Sequence, residues 1–307
     1  MAMRRLDVVV AGELNLDLIF YGLPRRRALE REYLATDLAL TLGSSSAIVA
    51  HNLACLGNHV GFAGRIGDDM LGRSARAALA AAGVEVTQVK AATAPATGLT
   101  VILAQARGRE ILTYPGAIAA LRRSDLDLAY LRRARHFHLS SFFLQRQLQP
   151  QLPRLFADLR AAGLTTSLDA NDDPEDRWDG GLRRVLPHLD LLFLNQREAA
   201  KLRPMLAEGS GAPGPLIVVK QGARGAAARR GAERWSAPGV RAKLVDAVGA
   251  GDSFDAGFLH QFLRGADVDA CLRFANCAGA LSVTRAGGVA AFLDRPYARR
   301  FLRRAGG

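Results

Sequence analysis

Val245-Asp246-Ala247-Val248-Gly249-Ala250-Gly251-Asp252-Ser253-Phe254-Asp255-Ala256-Gly257-Phe258-Leu259-His260-Gln261-Phe262-Leu263 is the stretch of the 307-residue chain that says most about its fold. Phe254, Phe258 and Phe262 recur every four residues, which predicts a helix starting near Ser253. Gly249-Ala250-Gly251 stands just ahead of it. Glycines there let the backbone approach a ligand closely, and the first turn of a helix offers N–H groups without partners. Those donors and the helix dipole suit a phosphate, or the charge on a phosphoryl group in transfer. Asp252 at this junction is placed to accept a hydroxyl proton. The same residues also suit an ordinary helix cap, with Asp252 or Ser253 satisfying the first turn. A dinucleotide fingerprint would need glycine where Phe254 stands, and no G-K-[ST], H-R-D or D-F-G occurs in the chain.

Outward from this stretch, short apolar runs alternate with helical periods. Leu6 to Ala11, Val60 to Ala63, Arg135 to Ser140, Leu164 to Asp169, Leu189 to Asn195 and Leu216 to Lys220 read as strands. Ala47 to Leu56, Leu71 to Ala82, Leu152 to Ala162 and Gln196 to Leu202 read as helices. This rhythm predicts a three-layer α/β/α domain with a mostly parallel central sheet, spanning residues 1–307 as one unit. Two regions break it. Residues 13–42 alternate polar and apolar, and Leu99 to Ala104 and Glu110 to Tyr114 form a hairpin across Ala106-Arg107-Gly108-Arg109. We expect these regions, roughly 13–42 and 90–115, to make a small β-sheet lid.

The formal charge is +12, from 41 Lys and Arg against 29 Asp and Glu. The bases come as scattered pairs such as Arg122-Arg123, Arg183-Arg184 and Arg299-Arg300, without the interleaved aromatics of a single-strand platform. They describe solvated helix faces rather than a nucleic-acid site, and their summed field attracts phosphorylated ligands. Cys55, Cys271 and Cys277 show no C-x-x-C spacing, so no disulfide framework or zinc knuckle is expected, and buried thiols suit a reducing cytoplasm. No apolar run reaches the roughly 18 residues that span a bilayer, and the start of the chain lacks a signal-peptide pattern. His136 and His138 alternate along one strand. Without a third ligand nearby they are read as strand packing rather than a metal site.

At Asp246 to Asp252 the chain resembles the ribokinase-like (PfkB) family of carbohydrate and nucleoside kinases. The family hallmark is D-T-x-G-A-G-D ahead of a helix, with Ala247 here in the threonine place. Other family elements occur in order: Gly12-Glu13-Leu14-Asn15-Leu16-Asp17, Gly43-Ser44-Ser45-Ser46-Ala47, Gly64-Arg65 through Gly72, Asn195-Gln196-Arg197-Glu198, Lys220-Gln221-Gly222-Ala223-Arg224-Gly225, and Asn276. The resemblance covers nearly the whole chain.

The resemblance implies an ATP- and Mg²⁺-dependent kinase that phosphorylates a hydroxyl of a sugar or sugar-like molecule. It implies Asp252 as general base, with the N–H groups of Gly249, Ala250, Gly251 and Asp252 as the anion hole. Asn15 and Asp17, at alternate strand positions, would bind substrate hydroxyls. Gly43 would let the helix start approach the sugar. Where sugar-specific members carry a second glycine and an asparagine, Ser44 and Ile48 stand here. That contact is then lost, or supplied by Ser45, Ser46 or His51, with Gly43, Ser44 and Ser45 counted among the substrate-binding residues. Asn195 and Glu198 would organise Mg²⁺ and phosphates through water, and Lys220, Gly222, Gly225 and Asn276 would border adenine and ribose. Asp246 and the carbonyls from Arg285 to Gly288 resemble a loop that holds a monovalent cation such as K⁺. The same scaffold also serves nucleoside kinases, and would serve a non-catalytic sugar- or nucleotide-binding regulator. Lid strands with open edges further suggest a homodimer.

Overall fold

The computed structural model describes residues 6–24, 26–105, 108–207 and 214–305. Their strands are β1 (Leu6–Gly12), β2 (Leu16–Tyr21), β3 (Asp37–Leu42), β4 (Val60–Gly67), β5 (Glu85–Ala92), β6 (Leu99–Ala104), β7 (Arg109–Tyr114), β8 (Ala134–Leu139), β9 (Thr165–Asp169), β10 (Leu191–Asn195), β11 (Leu216–Lys220), β12 (Gly225–Arg230) and β13 (Glu233–Pro238). Their helices are α1 (Ser45–Cys55), α2 (Met70–Ala82), α3 (Leu128–Leu131), α4 (Leu152–Ala161), α5 (Leu182–Val185), α6 (Gln196–Ala207), α7 (Ala250–Phe262), α8 (Val268–Ser282), α9 (Ala290–Leu293) and α10 (Arg295–Ala305).

Nine strands form one sheet in the order β13-β12-β11-β10-β9-β8-β1-β4-β5. It is parallel from β5 to β11, and β12 and β13 close the far edge antiparallel. Val8, Val9 and Val10 are all fully buried, because helices cover both faces of this sheet. On one face, Val8, Phe62, Phe193 and Val218 pack against Leu53 of α1, Phe258 of α7 and Leu272 of α8. On the other, Val9, Phe137, Leu168 and Leu192 pack against Phe156 of α4, Leu182 of α5 and Leu202 of α6. The expected three layers are therefore present.

A second sheet of four strands runs β3-β2-β6-β7. It draws on the two regions that break the α/β rhythm, although β5 carries residues 90–92 into the large sheet. The hairpin between β6 and β7 pairs Leu99 with Tyr114 and Ala104 with Arg109, while Ala106 and Arg107 at its turn lie outside the described residues.

Helix α7 begins at Ala250, about one turn before the start expected from the phenylalanine spacing. Gly249, at φ 70°, turns the chain in the left-handed region and sets that start. His136 and His138 are fully buried between β8 and β9. Their ring nitrogens meet Thr165, Ser167 and Ser140 at 2.7–2.9 Å, and burial pushes His138 down to about 3. Among the described residues no group of three His, Cys, Asp or Glu could hold a metal ion, the three cysteines are free, and no helix is long and apolar enough to cross a membrane.

Helices α7 and α8 approach closely at Gly257, where an added Cβ would lie 2.6 Å from Ala278 Cβ and 3.0 Å from Ala275 Cα. Gly257→Ala should therefore destabilise the protein by about 1–3 kcal/mol despite its better helix propensity. Chemical denaturation of the two proteins checks this.

Candidate active site

The parallel strands end on one edge of the large sheet, where open α/β sheets bind ligands. Three of them bring Glu13, Asp169 and Lys220 there, and the N-terminus of α7 arrives from the side. The turn into α7 is fixed by contact between two backbones. A Cβ on Gly249 would lie 2.4 Å from the Cα of Gly288 and 3.2 Å from Ile48 Cδ1. Ile48 thus packs beneath this turn. Asn52, one turn further along α1, donates from Nδ2 to Gly288 O and Ser253 Oγ, each at 3.0 Å. Ser253 donates its hydroxyl to Gly249 O at 2.8 Å, and no side chain caps α7. The capping role open to Asp252 and Ser253 in the sequence is not the one they take. The N–H groups of Gly251 and Asp252 meet no acceptor among the described residues, which leaves donors facing outward from the first turn.

Asp252 accepts a hydrogen bond from Ser45 Oγ. Burial raises its pKa to about 6, with Lys220 and Ser45 opposing the rise. Asp17 faces the same space, pushed to about 7 by burial and then by the neighbouring Asp252 charge. A Cβ on Gly43 would lie 2.0 Å from Asp17 Oδ1, so the glycine makes room for this carboxylate in the first instance. Asn15 precedes β2 and is 1% exposed. Its Nδ2 donates to Leu16 O at 3.0 Å and to Thr100 Oγ1 at 3.1 Å, so it braces the lid strands. Ser44 sits at φ 59°, a region that costs a residue with a side chain, and its hydroxyl donates to Glu13 O at 2.8 Å.

Glu13, Asn171, Asp169 and Asp255 were not singled out in the sequence. The Glu13 carboxylate accepts from Ser46 N at 3.2 Å, Ser46 Oγ at 2.9 Å, Ser141 Oγ at 2.6 Å and Gln145 Nε2 at 3.2 Å. It therefore ties the start of α1 to the loop after β8. Asn171 donates to Ser45 Oγ at 3.0 Å and to Asp169 Oδ2 at 3.2 Å, linking the Asp252 side of the site to a buried charge cluster.

In that cluster Lys220 Nζ lies 2.7 Å from Asp169 Oδ2 and 2.9 Å from Asp255 Oδ2. Burial raises Asp255 well above its usual range, and Asp169 adds to the rise. Asp169 stays low because Lys220 and a hydrogen bond with Asp255 hold it there. The cluster is one ammonium held between two carboxyl groups, of which Asp255 is the one that burial disfavours as an anion. Lys220 also borders a cavity of about 630 Å³ together with Gly222, Gly225, Gly251, Phe254 and Asn276. A Cβ on Gly251 would meet nothing nearer than Lys220 Nζ at 3.5 Å, so the protein itself leaves this side open. Asn276 donates to Ala237 O at 3.1 Å and Pro238 O at 3.0 Å and anchors the cavity wall at the end of β13.

Asn195 and Glu198 bond each other reciprocally: Asn195 N donates to Glu198 Oε2 at 2.7 Å, Asn195 Nδ2 to Oε1, and Glu198 N to Asn195 Oδ1 at 3.0 Å. Burial and the Asp169 charge raise Glu198 to about 7. Asp246 accepts from Val248 N at 2.9 Å, Gly287 N at 2.9 Å and the hydroxyl of Tyr21 at 2.8 Å. It joins the lid to the loops that frame α7.

The pfkB family carbohydrate kinase profile matches residues 5–294. An ATP-dependent ribose-1-phosphate kinase from Halopiger xanaduensis is 34% identical over 301 residues, covering 94% of this chain and 99% of that one. The structure of ribokinase from Arabidopsis thaliana complexed with ribose and ATP superposes with a TM-score of 0.78 at 25% identity, covering 97% of this chain and 99% of that one. A ribokinase II from E. coli in complex with ATP and Mg²⁺ has the same fold, with a TM-score of 0.80 at 22% identity, covering 97% and 99% of the two chains.

Replacing Lys220 by Met would leave the Asp169 charge buried without its counter-ion. Lys220→Met should cost about 3–5 kcal/mol in unfolding free energy, whereas Asp255→Asn, which leaves Lys220 its Asp169 counter-ion and an amide of the same shape, should cost far less. Denaturant unfolding of the two variants separates these outcomes.

Proposed function

Because the chain belongs to the pfkB family of carbohydrate kinases, we propose that it moves the γ-phosphoryl group of ATP to a hydroxyl of a sugar or sugar-like molecule, with Asp252 as general base. The protein is a phosphotransferase with an alcohol group as acceptor. The observation that carries the finer reading is the position of Asp252. It lies in the first turn of a helix with free N–H groups, flanked by Ser45 and Asp17 on one side and by the large cavity on the other. ATP as donor rests on the ribose-1-phosphate kinase and on the ATP-bound ribokinase structure.

The acceptor hydroxyl would lie against Asp252, in the place Ser45 Oγ takes here. As its oxygen bonds to the γ-phosphorus and the bond to the β-phosphate oxygen breaks, the proton passes to Asp252 and ADP leaves. The N–H groups from Gly249 to Asp252 would take the charge on the transferring group. Asp17, with Asn15 bracing its strand, would orient the acceptor. Gly43, Ser44 and Ser45 would shape its floor, and the lid would exclude water as a competing acceptor. Gly222, Gly225 and Asn276 would border the nucleotide, with Lys220 supporting it through the cluster.

Mg²⁺ would supply charge neutralisation at the nucleotide phosphates. Asn195 and Glu198 would hold it through water, since Mg²⁺ keeps several of its waters, with each Glu198 oxygen also accepting a hydrogen bond from Asn195. Asp246 accepts from three donors, and together with the carbonyls from Arg285 to Gly288 it would border a monovalent cation such as K⁺ at this loop. ATP and three free thiols suit the cytoplasm.

The outer face of the lid sheet is apolar. Leu38, Leu40 and Leu112 are more than half exposed there, beside Leu18 and Val101. We propose that a second copy covers it in a homodimer. Sedimentation at micromolar concentration should give twice the chain mass, and Leu38→Glu with Leu40→Glu should halve it. A monomeric wild-type protein would overturn the dimer.

The test of the reaction is an ADP-release screen over pentoses, hexoses, keto-deoxy acids and nucleosides, with and without potassium. Asp252→Asn should lower turnover by about 10²–10⁴-fold or more with ATP binding retained. Protonated Asp252 cannot take the hydroxyl proton, so wild-type turnover should fall as pH drops through about 6. Near-normal turnover in the variant would sink the assignment.

A further inference from the structure

The serine that opens α1 meets the groups that would act on an acceptor hydroxyl. Ser45 is the first residue of α1, and its Oγ donates to Asp252 Oδ1. Asn171 Nδ2 donates to the same Oγ at 3.0 Å. The orientation of that amide is set, because Asn171 Oδ1 accepts from Ser141 N at 2.7 Å and Nδ2 also reaches Asp169 Oδ2 at 3.2 Å. The Ser45 proton therefore points at the carboxylate, one Oγ lone pair is taken by the amide, and the other is free. The neighbouring hydroxyls are engaged elsewhere. Ser44 donates to Glu13 O at 2.8 Å, Ser46 to the Glu13 carboxylate at 2.9 Å, and Ser253 to Gly249 O at 2.8 Å. The bonds to Glu13 also hold the residues on either side of Ser45, and Asn52 ties α1 to Ser253 and Gly288 O. Ser45 itself is half-buried, so rotation about its Cα–Cβ bond is what moves its hydroxyl.

A hydroxyl held on a base beside free helix N–H groups is what phosphoryl transfer asks of its acceptor. Ser45 is tethered in that arrangement, whereas a soluble acceptor must bind and displace it. We propose that, with ATP bound and no acceptor present, the protein phosphorylates itself on Ser45. Ser45 Oγ bonds to the γ-phosphorus and the bond from that phosphorus to the β-phosphate oxygen breaks. The Ser45 proton passes to Asp252, and ADP leaves. The phosphoserine then fills the place of the acceptor hydroxyl and sets its charge beside Asp252 and Asp17, so the modified chain is closed to substrate. A bound acceptor, by taking Ser45 off Asp252, protects the chain. The inference rests on Asp252 as base and ATP as donor, as proposed above.

The experiment incubates the full-length protein, treated beforehand with phosphatase, with Mg²⁺ and ATP radiolabelled on the γ-phosphate, and no acceptor. Intact mass and peptide mapping follow the protein while released ADP is measured. One phosphoryl group per chain should accumulate, on Ser45, with a matching amount of ADP. The rate constant should not change with protein concentration, as transfer within one chain requires. Ser45→Ala should stay unlabelled, and Asp252→Asn should be labelled about 10²–10⁴-fold more slowly. The proposal is overturned if the wild type stays unlabelled or if the label sits on another residue. It is also overturned if ADP accumulates over an unlabelled chain, which would make water the acceptor, or if Asp252→Asn is labelled as fast as wild type. The wild-type measurement stands even where a variant fails to fold. A chain that turns over an acceptor in the ADP-release screen yet takes no label overturns the Ser45 step alone. Near-normal acceptor turnover in Asp252→Asn overturns the reading beneath it.

Discussion

Gly249 and Gly288 meet backbone to backbone, and the geometry of the site depends on that contact. A Cβ on Gly249 would lie 2.4 Å from Gly288 Cα, so the N-terminus of α7 can be brought against the 285–288 loop only with glycine at 249, while one on Gly288 would press on Ile48 Cδ1 at 2.7 Å. Ile48 fills the flank of the contact and Asn52 bonds across it to Gly288 O and Ser253. These contacts fasten α1 to α7 so that their first turns converge, one offering Ser45 and the other Asp252. If Asp252 is the base and the α7 N–H groups the anion hole, as proposed, their rigid supports would leave little reorganisation for the reaction, which is where most electrostatic catalysis originates.

The charges gathered around this contact oppose folding. Asp17, Asp252 and Glu198 all have pKa values raised by burial and by neighbouring carboxylates. A group whose folded pKa lies above its unfolded value contributes stability that is fully present below the unfolded value and lost as pH rises towards the folded one. Here that window runs from about 4 to about 7. Near neutral pH the protein therefore holds these carboxylates at the expense of its own stability. Lys220 limits the cost by neutralising Asp169 and drawing Asp252 down. Hydrophobic layers on both sides of the large sheet supply the stability that such a site draws on.

The sheet was legible because its strands are covered on both faces and read as continuous apolar runs, Val8-Val9-Val10 above all. The lid was legible as an interruption of that rhythm. The start of α7 was read late because the phenylalanine spacing reports the buried face of the helix. The backbone start is set instead by the dihedral of Gly249, which side-chain periodicity does not carry. Ile48 stands where an asparagine is expected; its packing under Gly249 was not legible because it depends on a loop some 240 residues away. Glu13 stands at a variable place of its motif, so nothing marked it. Asp169, Lys220 and Asp255 come from three separate elements, and no spacing in the sequence joins them. Asp252 was legible because glycines, an acid and a helical period stand side by side, although its freedom from capping had to be seen in space.

Asp246 has a consequence for how the two halves of the site communicate. One carboxylate holds Tyr21 on the lid strand that carries Asp17, and also the N–H groups of Val248 and Gly287 beside the turn into α7. A shift of the lid that strains this junction is felt at the α7 turn, and a shift there is felt at the lid. Coupling of this kind is symmetric in free energy: whatever factor a bound acceptor applies to nucleotide affinity, the nucleotide must apply to the acceptor. Whatever its sign, a coupling between the lid and the α7 turn has in Asp246 a single side chain through which to pass.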